Sequence, residues 1–400
     1  MTLKTSWARI ISLATLQGAI SLTWLVYNTY LPKLLVGYGF PASLAISLLI
    51  IENAIAAILE PLFGSLADRR EQNGKLRDHR WISTKFGFVS LGVILTSALT
   101  ILIPTIFVFG DVFSSVRWIL PGVLIAWAMA MTVFRAPAIS LIGKYAADSE
   151  LPIAMSFLTL FSSLIGALKP VSQNFILNLG APIAFSISSI VLLYATVMLR
   201  YFEPPITINL AVTDRQPILP TSIGLVLGMG WGIAWGSRCL LETLPKILKL
   251  HQPQLDPMVI ACIFLLIALS AIPGGLFAAK YGNRRAMSIG IITTLIALLL
   301  IVFLPTVLII TLAILLIIVC LTWMTNGAIP LAINIFPNNR AGLAVGLYVG
   351  GFSAGMSSFN WLFNPASNLT PLLAAVFGSI GLILAGVCVW QSHPIEQQNC

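Results

Sequence analysis

Charged residues are scarce in this chain: they make up 9% of its 400 residues, whereas 58% are hydrophobic. In soluble domains roughly a quarter of all residues are charged, so the composition excludes an ordinary soluble globular protein. Apolar runs of about 20 residues, long enough to cross the hydrocarbon core of a bilayer, recur along the whole chain. The sequence therefore predicts an all-α integral membrane protein.

Cysteine and histidine are too few and too scattered for a disulfide framework or a metal site. Four of the five cysteines lie inside apolar segments, and the fifth is the last residue of the sequence. The three histidines fall in predicted loops or tails. There is no nucleophile–base pair or cofactor motif, and little chain lies outside the apolar segments. We expect no metal, no cofactor and no enzymatic activity.

Twelve apolar segments have the length and hydropathy of membrane-spanning helices. Their approximate ranges are 8–31, 42–66, 81–103, 118–143, 153–179, 182–200, 219–248, 257–279, 286–304, 306–331, 342–364 and 370–390. The polar stretch 201–218 divides them into two groups of six. We therefore predict a bundle from 1–200, a cytoplasmic linker at 201–218 and a second bundle from 219–400, related by pseudo-symmetry.

The net charge of +9 follows the predicted topology rather than a nucleic-acid partner. With both termini in the cytoplasm, four cations lie on the outer side: Lys33, Arg117, Lys246 and Lys249. Fifteen lie on the inner side: Lys4, Arg9, Arg69, Arg70, Lys75, Arg77, Arg80, Lys85, Lys144, Arg200, Arg215, Lys280, Arg284, Arg285 and Arg340. This positive-inside bias predicts a multi-pass protein of the cytoplasmic membrane with both termini inside.

The first and seventh predicted spans carry the same spacing of polar and aromatic side chains, at i, i+4, i+7 and i+11. The two sets are Gln17, Ser21, Trp24 and Asn28, and Trp231, Trp235, Arg238 and Glu242. Helix geometry places each set on one face. Polar groups in membrane helices normally face a bundle interior or a watery cavity. Two halves with equivalent inward faces predict a repeat-built transporter with a central site.

Four charged side chains lie deep within the predicted spans of the first half: Glu52, Glu60, Arg135 and Lys169. An ionised group at the bilayer centre costs at least roughly 2.5–3.5 kcal/mol, so each needs a partner or must be neutralised. Matching their depths pairs Glu60 with Arg135 and Glu52 with Lys169. Glu52 lies nearest the midplane, and it is our candidate for proton coupling; a fixed structural salt bridge is the alternative for both pairs.

Further aromatic and amide side chains extend the predicted cavity into the second half. Trp323 and Asn326 lie in the tenth span, and Asn360 lies in the eleventh. Rings at these positions can stack on the apolar faces of sugars while amides and Arg238 bind hydroxyls. They would equally suit an amphipathic drug, a lipid or a pigment. Arg238 and Glu242 are four residues apart and can pair within one helix, either in the cavity or near the headgroups.

Glycines recur along the eleventh span at positions 342, 346, 350, 351 and 355. Small residues at helical spacing let two membrane helices approach closely. We interpret this run as a packing surface with scope for hinge motion. It is not a phosphate-binding loop, since no Gly-x-x-x-x-Gly-Lys-Ser/Thr motif follows it.

The loop after the second span, Gly64-Ser-Leu-Ala-Asp68-Arg69, resembles the start of the G-x-L-A-D-R-x-G-R-R loop of the major facilitator superfamily. The chain departs from that pattern at Glu71, where the second glycine is expected. The resemblance implies the twelve-helix fold and an inner-side latch. In that latch Asp68 accepts hydrogen bonds at the start of the eleventh span, where the helix dipole favours an anion. An ordinary solvated helix end is the alternative.

Within that superfamily the first spans look most like the proton-coupled sugar carriers of the sucrose type and the glycoside–pentoside–hexuronide type. The similar residues are Trp24, Tyr30-Leu31-Pro32, Glu60-Pro61 and Arg135-Ala-Pro. The resemblance implies a monomeric symporter for a sugar or polyol, coupled to protons, with sodium not excluded. The alternatives are proton-driven efflux of an amphipathic compound, or a non-transporting member that binds pigment or lipid or assists assembly.

Overall fold

The computed structural model describes residues 5–74, 85–109, 118–203, 218–251, 257–303, 306–363 and 369–392. Within these ranges the chain is helical, with no strand. The helices are α1 (Trp7–Gly37), α2 (Ser43–Gly74), α3 (Lys85–Phe109), α4 (Ile119–Ser140), α5 (Ile142–Tyr145), α6 (Leu151–Leu179), α7 (Ala181–Tyr201), α8 (Pro220–His251), α9 (Pro257–Tyr281), α10 (Asn283–Phe303), α11 (Val307–Ile335), α12 (Ala341–Leu362) and α13 (Pro371–Gln391).

Each predicted span corresponds to one long helix, and the single-turn α5 prolongs the fourth. Eleven of the described helices are long and apolar enough to cross a membrane. The remaining long helix, α12, carries the glycine run and is not among them. The chain is thus a multi-pass membrane protein. Most of the predicted linker and the basic loop before α3 lie outside the described residues.

The first two helices extend beyond the predicted ends. We expected α1 to stop at residue 31, before a proline, but it continues to Gly37 with Pro32 inside it. A proline in a membrane helix removes one N–H, and the helix can continue when neighbouring groups compensate. Helix α2 likewise runs on to Gly74, past the expected end at 66. The polar last turns of α2 therefore project beyond the hydrocarbon region as helix rather than loop.

The two halves have the same packing pattern, which confirms the predicted pair of six-helix bundles. In the first half α1 packs against α6 and α7, α3 against α4 and α7, and α2 against α4. In the second half α8 packs against α12 and α13, α10 against α11 and α13, and α9 against α11. Each contact in one half has its counterpart in the other, as pseudo-symmetry requires.

Two helix pairs, α2 with α12 and α6 with α9, make most of the contact between the bundles. Glycines allow this close approach. A Cβ added at Gly346 would come within 2.5 Å of the Glu60 carbonyl oxygen, and one at Gly275 would come within 2.8 Å of the Pro152 carbonyl oxygen. Larger residues would hold the helices apart, so the predicted packing role of the glycine run agrees with the observed contacts.

The bundles meet at one end of the molecule, which we call the Asp68 end. Here α12 begins beside the end of α2, α4 packs against α12, and α6 packs against α11. Helices α1 and α8, which belong to different bundles, do not pack against each other to a comparable extent in their described parts. On these helices Asn28 is exposed and Arg238 and Glu242 retain 34% and 39% side-chain exposure. The space between the bundles is therefore closed at the Asp68 end and open opposite it.

Candidate functional site: the space between the bundles

Asp68 binds the first turn of α12, as the resemblance of its loop implies. Its carboxylate accepts hydrogen bonds from the backbone N–H groups of Gly342 at 3.0 Å and Leu343 at 2.8 Å. The first N–H groups of a helix have no partner within the helix, and the dipole there favours an anion. Lys85 lies 2.7 Å from the same carboxylate and balances its charge. This buried contact joins the two bundles.

The residues around Asp68 add to that contact. Gly64 faces Gly342 so closely that a Cβ would meet its carbonyl, while Arg69 points outward and is exposed. Glu71, where the resembled loop has glycine, forms ion pairs with Lys85 at 3.7 Å and with Lys144. The departure from the family pattern therefore leaves the Asp68 contact intact and adds a charged link to the end of α4 and α5.

Glu60 and Arg135 form the ion pair that depth matching predicts. Arg135 Nε donates to Glu60 Oε1 at 2.7 Å, and the Glu60 side chain is fully buried. Arg135 Nη2 also donates to Ser353 Oγ on α12 at 3.3 Å. A guanidinium suits such a buried pair because its planar fork serves two acceptors at once. The set thus links α2 and α4 to the other bundle.

Glu52 has a different partner from the one predicted. It is 2% exposed, and its Oε1 accepts a hydrogen bond from the Tyr27 hydroxyl, not a salt bridge from Lys169. Its Oε2 is buried and has no hydrogen-bond partner in the described structure. The Tyr27 ring stacks on Trp127, with centroids 4.1 Å apart. The predicted Glu52–Lys169 pair is wrong because depth says nothing about helix rotation.

Sequence reasoning missed the part played by Tyr27 and Trp127. Trp127 is fully buried and donates to Thr100 Oγ1 at 2.8 Å, which fixes the plane on which Tyr27 lies. The stack holds the Tyr27 hydroxyl against Glu52. One signal was available: Tyr27 follows Trp24 by three residues and so lies near the polar face of α1.

The polar face of α1 turns partly toward its own bundle. Gln17 Nε2 donates to Ser162 Oγ of α6 at 3.2 Å, and Ser21 Oγ lies 3.1 Å from the same hydroxyl. Trp24 packs edge-on against Trp127, and its Nε1 is buried with no hydrogen-bond partner among the described residues. Asn28, the last of the set, is exposed toward the open end.

The equivalent face of α8 divides in the same way. The Trp231 and Trp235 rings stack with centroids 4.8 Å apart. Trp231 is half-buried and donates to Ser358 Oγ at 3.1 Å. Trp235 is 6% exposed and lies in a small apolar core with Phe359, donating to the Phe377 carbonyl oxygen at 3.0 Å. Trp231 thus borders the space between the bundles, whereas Trp235 supports it from behind.

Arg238 and Glu242 form the predicted pair one turn apart, at 2.7 Å. The Arg238 guanidinium lies over the Phe359 ring, 5.7 Å from its centroid. Its Nε is buried and has no hydrogen-bond acceptor in the described part of the chain. Lys169 of α6 is exposed, and the charges of both α8 residues act on it. These three charged groups therefore gather between the bundles toward the open end.

The remaining predicted cavity residues are less suited to binding a solute. Trp323 stacks on Phe277 of α9, with centroids 4.1 Å apart. Asn326 is fully buried, and its amide donates to the Ala271 carbonyl oxygen at 2.7 Å. Both side chains therefore join α11 to α9 within the second bundle. Asn360 is half-buried near the open end.

An apolar cavity of about 240 Å³ lies inside the second bundle, between α8, α10, α11 and α13. Its walls include Leu244, Leu298, Ile301 and Pro371, with Thr243 and Cys239 the only weakly polar side chains around it. No group of three metal-ligating side chains occurs in the described residues. This cavity is separate from the charged groups and can take only an apolar occupant.

No protein-family model and no curated protein sequence matches the chain. Solved structures do resemble it. A bacterial homologue of the iron transporter ferroportin, in an outward-facing state, gives a TM-score of 0.73 at 16% identity over 96% of this chain and 98% of that one. The proton:xylose symporter XylE bound to 6-bromo-6-deoxy-D-glucose gives 0.69 at 15% identity over 96% and 95%.

The human organic anion transporter MFSD10 gives a TM-score of 0.63 at 14% identity over 98% of this chain and 100% of that one. These three proteins are described as transporters. Identities this low show the shared architecture and no more. The chain has the fold of the major facilitator superfamily.

Proposed function

We propose that the chain is a secondary active transporter that moves a small polar solute across the cytoplasmic membrane by alternating access. Two pseudo-symmetric bundles closed at the Asp68 end and open at the other are one of the two shapes such a cycle requires. The positive-inside bias supports placing the Asp68 end and both termini in the cytoplasm. A boundary between the bundles at 201–218 accords with the two packing groups.

The contacts that close the Asp68 end are few enough to be broken and remade. They include the two N–H bonds to Asp68 and the Arg135–Ser353 bond. Hydrogen bonds to charged groups contribute roughly 1.5–3 kcal/mol each. Breaking them therefore costs on the order of several kcal/mol before the new contacts of the other state form. That is within the range a bound solute and a proton can supply.

Proton coupling rests on one observation: Glu52 is buried without a cation. Its only hydrogen-bond partner in the described residues is the Tyr27 hydroxyl, and its second oxygen has none. An ionised carboxylate in such a place costs several kcal/mol, and a protonated one does not. If water reaches Glu52 in the conformation that is closed at the opposite end, the Glu52 carboxyl can release its proton to that water. A proton would then move with each cycle.

The solute class we favour is a sugar or polyol. Trp231 offers a flat apolar surface beside the open space, and Asn28, Asn360 and Arg238 supply groups that bind hydroxyls. Two solved structures with the same fold are described as proton symporters of xylose and of fucose. The structural likeness carries no substrate by itself, so the proposal depends on the chemistry of these side chains.

The apolar cavity in the second bundle favours a second candidate function. A space of about 240 Å³ between α8, α10, α11 and α13 could hold part of an acyl chain or of an apolar pigment. This would suit efflux of an amphipathic compound or a binding role without transport. Proton-driven efflux would also use Glu52, whereas a binding role without transport leaves its burial unexplained. The apolar cavity is not lined by Glu52, Lys169 or Arg238, and we rank both functions below coupled transport of a polar solute.

The test uses proteoliposomes that enclose a pH-sensitive dye and are challenged with mono- and disaccharides. We expect solute-dependent proton entry that falls at least tenfold in Glu52→Gln, whose amide oxygen can still accept from Tyr27. Glu150→Gln, at the start of α6, is the matched control and should keep the wild-type rate. The same assay with a sodium gradient in place of the proton gradient distinguishes the coupling ion.

Proton entry that is equal in Glu52→Gln and wild type would remove Glu52 as the coupling residue. No proton or sodium movement with any solute, together with retention of an apolar dye by the purified protein, would favour the binding role instead.

A further inference from the structure

Three cations lie deep within the predicted spans, and two of them, Lys169 and Arg238, lie at one height on opposite bundles. Lys169 follows the first residue of α6 by 18 positions, and Arg238 follows the first residue of α8 by 18 positions. Both helices begin at the Asp68 end, so each cation lies about 27 Å from it at 1.5 Å per residue. The third cation, Arg135, is already paired with Glu60 nearer the Asp68 end.

Lys169 faces the space between the bundles. Its side chain is exposed. The charges of Arg238 and Glu242, from the other bundle, act on it. Lys169 is also ten residues, or about 15 Å, short of the end of α6, which is too far for its ammonium to reach the headgroups.

Glu52 lies at a similar depth, and with Glu52 protonated, as proposed above, the charges at this level do not balance. Lys169 and Arg238 carry two positive charges, and Glu242 carries one negative charge that Arg238 already binds at 2.7 Å. One positive charge is left over. No carboxylate of the described chain lies within ion-pair distance of Lys169, and Arg238 Nε is buried without an acceptor. Both unsatisfied groups are donors, so what is missing is an acceptor with negative charge.

We propose that the transported solute is a small organic monoanion whose carboxylate binds between Lys169 and Arg238. This inference rests on the proposed transport function and narrows it from sugars and polyols in general to hydroxylated carboxylates. One negative charge neutralises the excess at this level. The exposed part of the Arg238 guanidinium and the Lys169 ammonium supply charge-assisted hydrogen bonds, which are stronger than those to neutral groups.

The surroundings fit the rest of such a solute. The Phe359 ring lies under Arg238, and Trp231 lies two turns toward the Asp68 end on the same face of α8. A carbon skeleton can pack on these rings while the carboxylate points toward the open end. Closing the open end around the bound anion would bring Lys169 and Arg238 together, which their like charges resist when no anion is bound.

The experiment measures binding to the purified full chain in nanodiscs by tryptophan fluorescence, which Trp231 should report. The probes are matched pairs with one member charged: D-glucuronate with D-glucose, gluconate with sorbitol, and benzoate with benzyl alcohol. Potassium chloride at equal ionic strength shows whether an inorganic anion is enough. Variants are Lys169→Gln, Lys169→Arg and, as a matched control on the exposed surface of α1, Lys33→Gln.

We expect at least one anion to bind tenfold or more tightly than its neutral partner. That preference should disappear in Lys169→Gln, survive in Lys169→Arg and be unchanged in Lys33→Gln. The proposal is overturned if no anion is preferred in any pair, if chloride alone reproduces the response, or if the preference survives in Lys169→Gln. Thermal unfolding of each variant shows whether it is folded, and the Lys169→Arg variant supplies a folded test of charge.

The result separates this inference from the proposed function. Solute-driven proton entry with neutral sugars, in the absence of anion preference, would keep transport and remove the anion site. Anion preference that depends on Lys169, without proton movement for any probe, would keep the site and remove proton coupling.

Discussion

Glu52 and Glu60 lie eight residues apart on α2, and both are buried, yet they are held in different ways. Glu60 has a guanidinium at 2.7 Å, and that guanidinium also reaches Ser353 of the other bundle. Glu52 has only the hydroxyl of Tyr27, from its own bundle. A carboxyl paired with a cation stays charged through a cycle, whereas one held by a neutral hydroxyl can exchange a proton. The comparison supports the proposal that Glu52, rather than Glu60, is the carboxyl that exchanges a proton.

Removal of the cation that pairs with Glu60 should have the largest effect. Arg135→Met leaves Glu60 buried without a partner, and we expect a loss of about 3–5 kcal/mol in the free energy of unfolding. The measurement is unfolding in mixed micelles by titration with SDS, followed by tryptophan fluorescence.

The double variant Glu60→Gln with Arg135→Met is the control, because it removes both charges together. It should regain most of the lost stability. If the single and double variants are equally unstable, the charge of Glu60 is not what Arg135 stabilises, and the contrast with Glu52 fails.

A smaller effect is expected at Glu52. Tyr27→Phe keeps the ring on Trp127 but removes the donor to Glu52, which should cost about 1–3 kcal/mol of stability. It should also change the pH dependence of solute-driven proton entry, because the hydroxyl no longer favours the charged form of the carboxyl.

Tyr30→Phe is matched to that change. The Tyr30 hydroxyl donates to the Ile176 carbonyl oxygen at 2.6 Å rather than to a carboxyl. We expect it to lower stability without changing the pH profile. Identical pH profiles in the two variants would show that Tyr27 does not act on Glu52.

Loss of the hydrogen bond from Arg135 to the other bundle should have a weaker effect still. Ser353→Ala removes a long bond at 3.3 Å and should shift the balance between the two conformations by about 0.5 kcal/mol, or roughly twofold. Spin labels at Val36→Cys and Lys246→Cys, with the native cysteines replaced, report the width of the open end.

Ser358→Ala is the control for that shift, because its hydroxyl accepts from Trp231 within one bundle. We expect the distance distribution to change in Ser353→Ala and to stay as in the parent protein in Ser358→Ala. A shift in both variants would mean that loss of any hydroxyl on α12 loosens the closed state.

The inferences from sequence were most accurate where a motif or a depth indicated both a residue and the group that it contacts. The Gly64-to-Arg69 loop placed Asp68 at the start of α12, and depth alone paired Glu60 with Arg135. The twelve helices followed from the length and composition of the apolar segments. These inferences need a position along the membrane normal and little else.

The wrong inferences needed a rotation angle. Glu52 and Lys169 have similar depths, but stacking of Tyr27 on Trp127 holds the Tyr27 hydroxyl against Glu52, which leaves no ion pair with Lys169. Trp235 and Asn326 likewise lie on predicted cavity helices but bond within the second bundle. Side-chain packing between helices decides such rotations. A single sequence does not show which side chains pack against each other.

The glycine contact between α2 and α12 has a consequence for how the bundles move. At Gly342, Gly346 and Gly350 the helix presents bare backbone to the backbone of α2, where an added Cβ at Gly350 would lie 2.8 Å from the Ala57 carbonyl oxygen. Side chains that interlock must be withdrawn before two helices can shift, but smooth backbone surfaces need no such withdrawal. In the transport cycle that we propose, the α2–α12 contact can therefore persist as a pivot while the two ends of the molecule open and close in turn.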